Sequence, residues 1–183
     1  LLMTKWHTIP NFLTLTRLIL IVPMGITIID QNWILTTSIF LIAIITDVLD
    51  GYFARSLNQS TVLGGLFDHT TDALFVSTGL ACFAMLTLIP QLLPILIILS
   101  FAQYALDSKV LDGQKLIASK IGRANGICYY LLLGISIGFQ LLGLNSGLFV
   151  QGILMLSWVL CVTTIISMLD RAIALWRHLH APK

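Results

Sequence analysis

The sequence predicts an all-α integral membrane protein with six transmembrane helices and a short N-terminal interfacial segment, forming one domain over residues 1–183. Three observations predict it. First, 57% of the residues are hydrophobic and 10% charged, against about 25% charged in a soluble domain, so the chain has too little polar surface to face water. Second, the apolar residues form continuous runs rather than alternating, which excludes a β-barrel. Third, the Lys and Arg residues crowd into every second loop, the pattern of a multi-pass protein with one basic face.

The elements follow from a spanning length of about 20 apolar residues. The first ten residues, with Trp6, His7 and Pro10, read as an interfacial lead-in. Helix 1 is expected over Phe12 to Ile29; it is long and has no small-residue cleavage site, so it reads as a span rather than a cleavable signal. Asp30-Gln31-Asn32 closes it, and helix 2 is expected over Trp33 to Phe53. After the Asn58-Gln59-Ser60 turn, helix 3 is expected over Thr61 to Leu86; past Pro90, helix 4 is expected over Leu88 to Leu106. Asp112-Gly113 precedes helix 5, Ile121 to Leu142, and the Gly143–Gly147 turn precedes helix 6, Leu148 to Trp176.

The charges orient this bundle. Lys5 and Arg17, Arg55, then Lys109, Lys115, Lys120 and Arg123, then Arg171, Arg177 and Lys183 all fall at one end of the six spans. The loops near 30–32, 87–90 and 143–147 contain no Lys or Arg. The basic end, with both termini, is therefore expected on the cytoplasmic side or its organellar equivalent. Cys82, Cys128 and Cys161 sit in apolar runs without CxxC spacing and read as small buried hydrophobes.

Against this greasy background one stretch stands out: DVLDGYFARSLNQSTVLGGLFDHTTD, residues 47–72, holds four of the chain's eight acids. Asp47 and Asp50 are spaced i,i+3 near the end of helix 2, and Asp68 and Asp72 are spaced i,i+4 in the early turns of helix 3. Each pair shares a helical face, and a short turn lets the two faces meet. Four inward carboxylates in a low dielectric repel one another unless cations hold them together. Oxygen-only ligands suit Mg²⁺, Mn²⁺ or Ca²⁺ rather than zinc, and paired metals suit phosphoryl transfer. Gly51, Ala54, Gly64 and Gly65 keep the region low in bulk, for ligand approach or for close helix packing. Arg55 beside the cluster is placed either to hold a diphosphate or to anchor topology. A solvated interfacial loop, or a cation path through the bundle, are the readings without catalysis; the mostly apolar outer helix halves argue against a path.

The spacing of Asp47, Asp50, Gly51, Ala54, Arg55, Gly64, Asp68 and Asp72 resembles the signature of the CDP-alcohol phosphotransferases. The run IPNFLTLTR, Ile9 to Arg17, is similar to the opening of bacterial phosphatidylglycerophosphate synthases and related cardiolipin synthases. The resemblance implies that Asp47, Asp50, Asp68 and Asp72 hold two divalent ions, Mg²⁺ or Mn²⁺. It implies that Asp72 also acts as general base, and that Gly51, Ala54 and Gly64 make room for the cytidine nucleotide. It implies a CDP-diacylglycerol donor, a small alcohol acceptor, CMP release and a homodimer in lipid; nucleic acid is not an expected partner. The acceptor expected is glycerol 3-phosphate, with inositol phosphate, serine and phosphatidylglycerol as alternatives. Helix 4 reads SFAQYALDSK without the Arg-Glu pair frequent in phosphatidylglycerophosphate synthases, and His69 stands where they commonly carry Pro. Lys120 and Arg123, and more weakly Arg17, are the expected acceptor-phosphate ligands; Tyr129 and Tyr130 read as packing.

Overall fold

The computed structural model describes residues 8–57, 59–107, 120–144 and 146–180, with backbone only for 177–180. The chain folds into six helices: α1 (Ile9–Ile29), α2 (Trp33–Ser56), α3 (Val62–Met85), α4 (Leu92–Asp107), α5 (Lys120–Leu141) and α6 (Gly147–His180). Among the described residues there is no strand. Lys5, Trp6, His7, Lys109, Lys115, Lys183, Asn58 and the Asp112-Gly113 turn lie outside the described residues, as does the side chain of Arg177.

Local chemistry sets the helix starts. The Thr8 hydroxyl accepts from the Asn11 amide at 3.3 Å, with Pro10 in the first turn, so α1 begins three residues before its apolar run. Asn32 and Thr61 cap α2 and α3 in the same way, accepting from Leu35 N at 3.3 Å and Gly64 N at 2.9 Å. Ala54 O receives both Gln59 N at 3.0 Å and Ser60 Oγ at 3.1 Å, which tightens the α2–α3 connection. α4 begins at Leu92, not Leu88, because Thr87 takes a positive φ of 63° and the Pro90 carbonyl accepts from Leu93 N at 3.1 Å; these residues form the turn.

α1, α2, α5 and α6 are long and apolar enough to cross a membrane. α3 matches α2 in length, 24 residues, and carries Asp68, His69 and Asp72 in its first half. α4 is a shorter apolar helix of 16 residues. Together they support a multi-pass integral membrane protein. Large apolar side chains such as Phe12, Ile19, Ile34, Val48, Met155 and Leu148 point outward, as a lipid-facing surface requires.

α1 packs on α2 and α3, α3 on α4, α4 on α6, and α5 on α6, α2 and α3. Met24, Ile28, Phe40, Phe75, Leu80, Phe83, Leu132, Leu133 and Ile137 fill the centre. Two glycines set helix spacing. A Cβ on Gly134 would lie 3.0 Å from the Phe40 ring, and one on Gly79 would lie 2.9 Å from Leu133.

Candidate active site

The acidic centre lies where the N-terminal half of α1, the C-terminal half of α2 and the N-terminal half of α3 meet. The i,i+3 and i,i+4 spacings place Asp47 and Asp50 opposite Asp68 and Asp72, the arrangement the helical periodicity predicts. One carboxylate oxygen from each of Asp47, Asp50 and Asp68 lies within 4.8 Å of the others. Atoms from Asp68, His69 and Asp72 form a second such group. Asp50 is the deepest of the four carboxylates, 7% exposed, and Asp47 the most open at 42%, so the centre opens toward Asp47.

The sequence reading did not place Arg17 here. Its side chain is fully buried, with Nη2 3.0 Å from Asp47 Oδ1 and 2.6 Å from Asp50 Oδ2. Its Nη1 lies 3.0 Å from Asp68 Oδ1 and also pairs with Asp72 Oδ1. Thr14, one turn earlier on α1, lies 3.2 Å from Asp50 Oδ2. α1 thus reaches the centre with Thr14 and Arg17 from a single buried face that continues through Met24 and Ile28.

The donor set fits hard divalent cations. One group of three converging ligand atoms is all carboxylate oxygen, the other adds one His69 nitrogen to two carboxylate oxygens, and four carboxylates exceed the charge of the one guanidinium among them.

A cavity of about 510 Å³ adjoins the centre. Its lining includes Asp47, His69 and Asp72 of the acidic region together with Tyr104, Arg123, Tyr130 and Arg171. Tyr130 is not simply packing: its hydroxyl donates to Asp72 Oδ1 at 2.8 Å while its ring stacks on Phe75, centroids 6.4 Å apart. Tyr129 does pack, and its hydroxyl also meets Thr164 Oγ1 at 2.5 Å. Arg171 donates from Nη2 to Ser100 O at 3.1 Å and Ser100 Oγ at 2.8 Å, and its guanidinium lies 5.6 Å from the Tyr104 ring centroid. Sequence reasoning treated Arg171 as a topology charge; its helical register on α6, facing α4, was the signal available.

The other candidates distribute as follows. Arg123 lines the cavity, whereas Lys120, exposed at the start of α5, does not. His69 is half exposed, with Nδ1 3.8 Å from Asp68 Oδ2 and its ring 6.3 Å from Tyr104. Gly64 lets α3 begin against α1: a Cβ there would meet Thr61 Oγ1 at 2.8 Å and Asn11 Oδ1 at 3.2 Å. A Cβ on Gly51 would meet Arg55 Nη1 at 3.4 Å, so the Arg55 guanidinium lies over that glycine, the residue that follows Asp50. A Cβ on Gly65 would meet nothing within 4 Å.

A family model described as CDP-alcohol phosphatidyltransferase matches residues 7–169. The chain is 36% identical over 92 residues to a human cardiolipin synthase (CMP-forming), an alignment covering 50% of this chain and 31% of that protein. It is 39% identical over 67 residues to the CDP-diacylglycerol–glycerol-3-phosphate 3-phosphatidyltransferase of Aquifex aeolicus, covering 37% of this chain and 38% of that one. The Haemophilus influenzae protein of the same name is 43% identical over 75 residues, covering 39% and 40%. The chain thus aligns with well under half the length of each of these relatives.

Proposed function

Because this chain belongs to the CDP-alcohol phosphatidyltransferase family, we propose that it moves a phosphatidyl group from CDP-diacylglycerol to a small alcohol and releases CMP. The acceptor we assign is glycerol 3-phosphate. The observation that carries the reading is the convergence of Asp47, Asp50, Asp68 and Asp72 beside a cavity that Arg123 and Arg171 also line.

Asp47, Asp50, Asp68 and Asp72 would hold the metal, two Mg²⁺ or Mn²⁺ ions in this proposal. Bound there, the metal supplies charge neutralisation for the donor diphosphate and the departing CMP. Gly51, Ala54 and Gly64 are assigned to the nucleotide side by the family signature; Arg55 over Gly51 is a further cation for its phosphates, and Gly64 also serves the close contact of α3 with Asn11 of α1. Asp72 faces the cavity and takes the proton from the acceptor hydroxyl as that oxygen attacks the lipid-linked phosphorus. Tyr130 holds the Asp72 carboxylate in place through its hydroxyl. Arg123 and Arg171 bind the acceptor phosphate, which favours a phosphate-bearing acceptor over serine. This refines the sequence expectation: Arg171 joins Arg123, while Arg17 belongs to the acidic centre.

The cation-path reading has no support in the outer half of the bundle. The hydroxyls of Thr36, Thr37 and Ser38 donate back to Asn32 O, Trp33 O and Ile34 O at 2.9, 2.7 and 2.9 Å, and Ser136 to Leu132 O at 2.8 Å, so each is spent on local backbone. The ends carrying Arg17, Arg55, Lys120, Arg123 and Arg171 are proposed to face the cytoplasm or its organellar equivalent. A homodimer is part of the same proposal.

The test is CMP release by purified protein with Mg²⁺ and CDP-diacylglycerol across a panel of acceptors. The expected result is release with glycerol 3-phosphate, abolished in Asp72→Asn. Release with a different acceptor alone would overturn the acceptor; no release with any would overturn the enzyme reading.

A further inference from the structure

We propose that Arg17 is an exchangeable counter-ion. Its guanidinium fills the acidic centre while no divalent cation is bound and withdraws when one binds, so Arg17 sets the metal affinity of the site. This rests on the metal reading given above.

The geometry shows the competition directly. Both guanidinium Nη atoms are spent on the acidic centre, with Nη2 at 3.0 and 2.6 Å from Asp47 and Asp50 and Nη1 at 3.0 Å from Asp68 as well as paired with Asp72. Asp47, Asp50 and Asp68 make up one of the two groups able to converge on a metal, and Asp68 and Asp72 belong to the other, which His69 completes. A cation at the focus of these carboxylates and a guanidinium in the same place exclude one another.

Two features separate this from a permanent ion pair. A buried ion pair persists when its charges balance and all its donors are used. Here one positive charge faces four carboxylates, so the centre remains short of cation with Arg17 in place. The buried Nε of Arg17 has no hydrogen-bond partner among the described residues. An arginine cradle built to last satisfies that donor too. The guanidinium is therefore held by the cluster's charge, and a more highly charged cation removes that hold. Two of its partners, Asp47 and Asp72, line the cavity through which a cation would reach the centre.

The experiment uses the whole chain, purified in detergent micelles and stripped with chelator. Mn²⁺ affinity is measured by calorimetric titration, and thermal unfolding is followed with chelator and with saturating Mn²⁺, for wild type, Arg17→Gln, Arg17→Lys and Asp50→Asn. Arg17→Gln is expected to bind Mn²⁺ about tenfold or more tightly than wild type, since binding no longer displaces a resident cation. Its unfolding midpoint should fall in chelator and stay near the wild-type value in Mn²⁺. Arg17→Lys keeps the charge but loses the planar fork that bridges several carboxylates, so its affinity should lie between the two and give the sign even if Arg17→Gln folds only with metal. Equal or weaker Mn²⁺ binding in both Arg17 variants would overturn the exchange and make Arg17 a fixed part of the site. Mn²⁺ binding absent from wild type, or unchanged in Asp50→Asn, would overturn the metal reading itself.

Discussion

Tyr130→Phe isolates one contact of the proposed base. The substitution removes a single oxygen, the one donating to Asp72 Oδ1 at 2.8 Å, and keeps the ring that stacks on Phe75 at 15° between planes. A hydrogen bond to a charged acceptor contributes about 1.5–3 kcal/mol. If that energy holds the carboxylate in its working orientation, its loss raises the barrier by a similar amount. At 1.36 kcal/mol per factor of ten, kcat should fall about 10- to 150-fold. The assay is CMP release at saturating donor and acceptor, with the thermal midpoint measured alongside to show that the bundle is intact. The donor KM should change little, because the hydroxyl touches a carboxylate of the centre rather than the nucleotide side marked by Gly51. A kcat within threefold of wild type, in a folded variant, would refute the argument that Tyr130 positions Asp72.

Other perturbations separate the parts of the site. Asp50→Asn, at the deepest carboxylate, should abolish CMP release, and chelator should do the same to wild type, reversibly on adding Mg²⁺. Arg171→Met should raise KM for a phosphate-bearing acceptor about 10- to 100-fold, the range expected for one lost charge-assisted contact, with the donor KM unchanged; equal effects on both would remove Arg171 from the acceptor side. Gly134→Val forces side-chain atoms into the Phe40 ring, which already lies 3.0 Å from where a Cβ would sit. It should destabilise the bundle by about 1–3 kcal/mol, read as a lower thermal midpoint in detergent.

The helices were legible because a membrane span writes itself as a continuous apolar run. Their ends were legible only where a cap or turn was. α1 starts early through Thr8 and Pro10, and α4 starts late because Thr87 adopts a left-handed backbone, which no pattern around Leu88 announces. The facing of the two Asp pairs follows from helical spacing alone, so the acidic centre could be drawn before any coordinates. Arg17 could not: it lies 30 residues before Asp47, the first Asp of the centre, and only the packing of α1 against both α2 and α3 brings it among them. Tyr130 and Arg171 were hidden for the opposite reason. A tyrosine in an apolar run, and an arginine near a helix end, have ordinary explanations. Only the hydrogen bond to Asp72 and the Ser100 and Tyr104 contacts replace those explanations with specific ones.

Every member of the charged centre belongs to α1, α2 or α3, all complete by Met85, while α4 to α6 contribute the cavity wall. This division bears on how the chain enters a bilayer as it is made. An aspartate costs up to about 2.5–3.5 kcal/mol at the centre of a span, so two each in α2 and α3, set off-centre, still disfavour insertion of either helix alone. α1 emerges before them and carries Arg17 within its span. The helical trio can therefore neutralise part of its own burden before the second half is synthesised, and a nascent chain lacking Arg17 would have to wait for metal to do so.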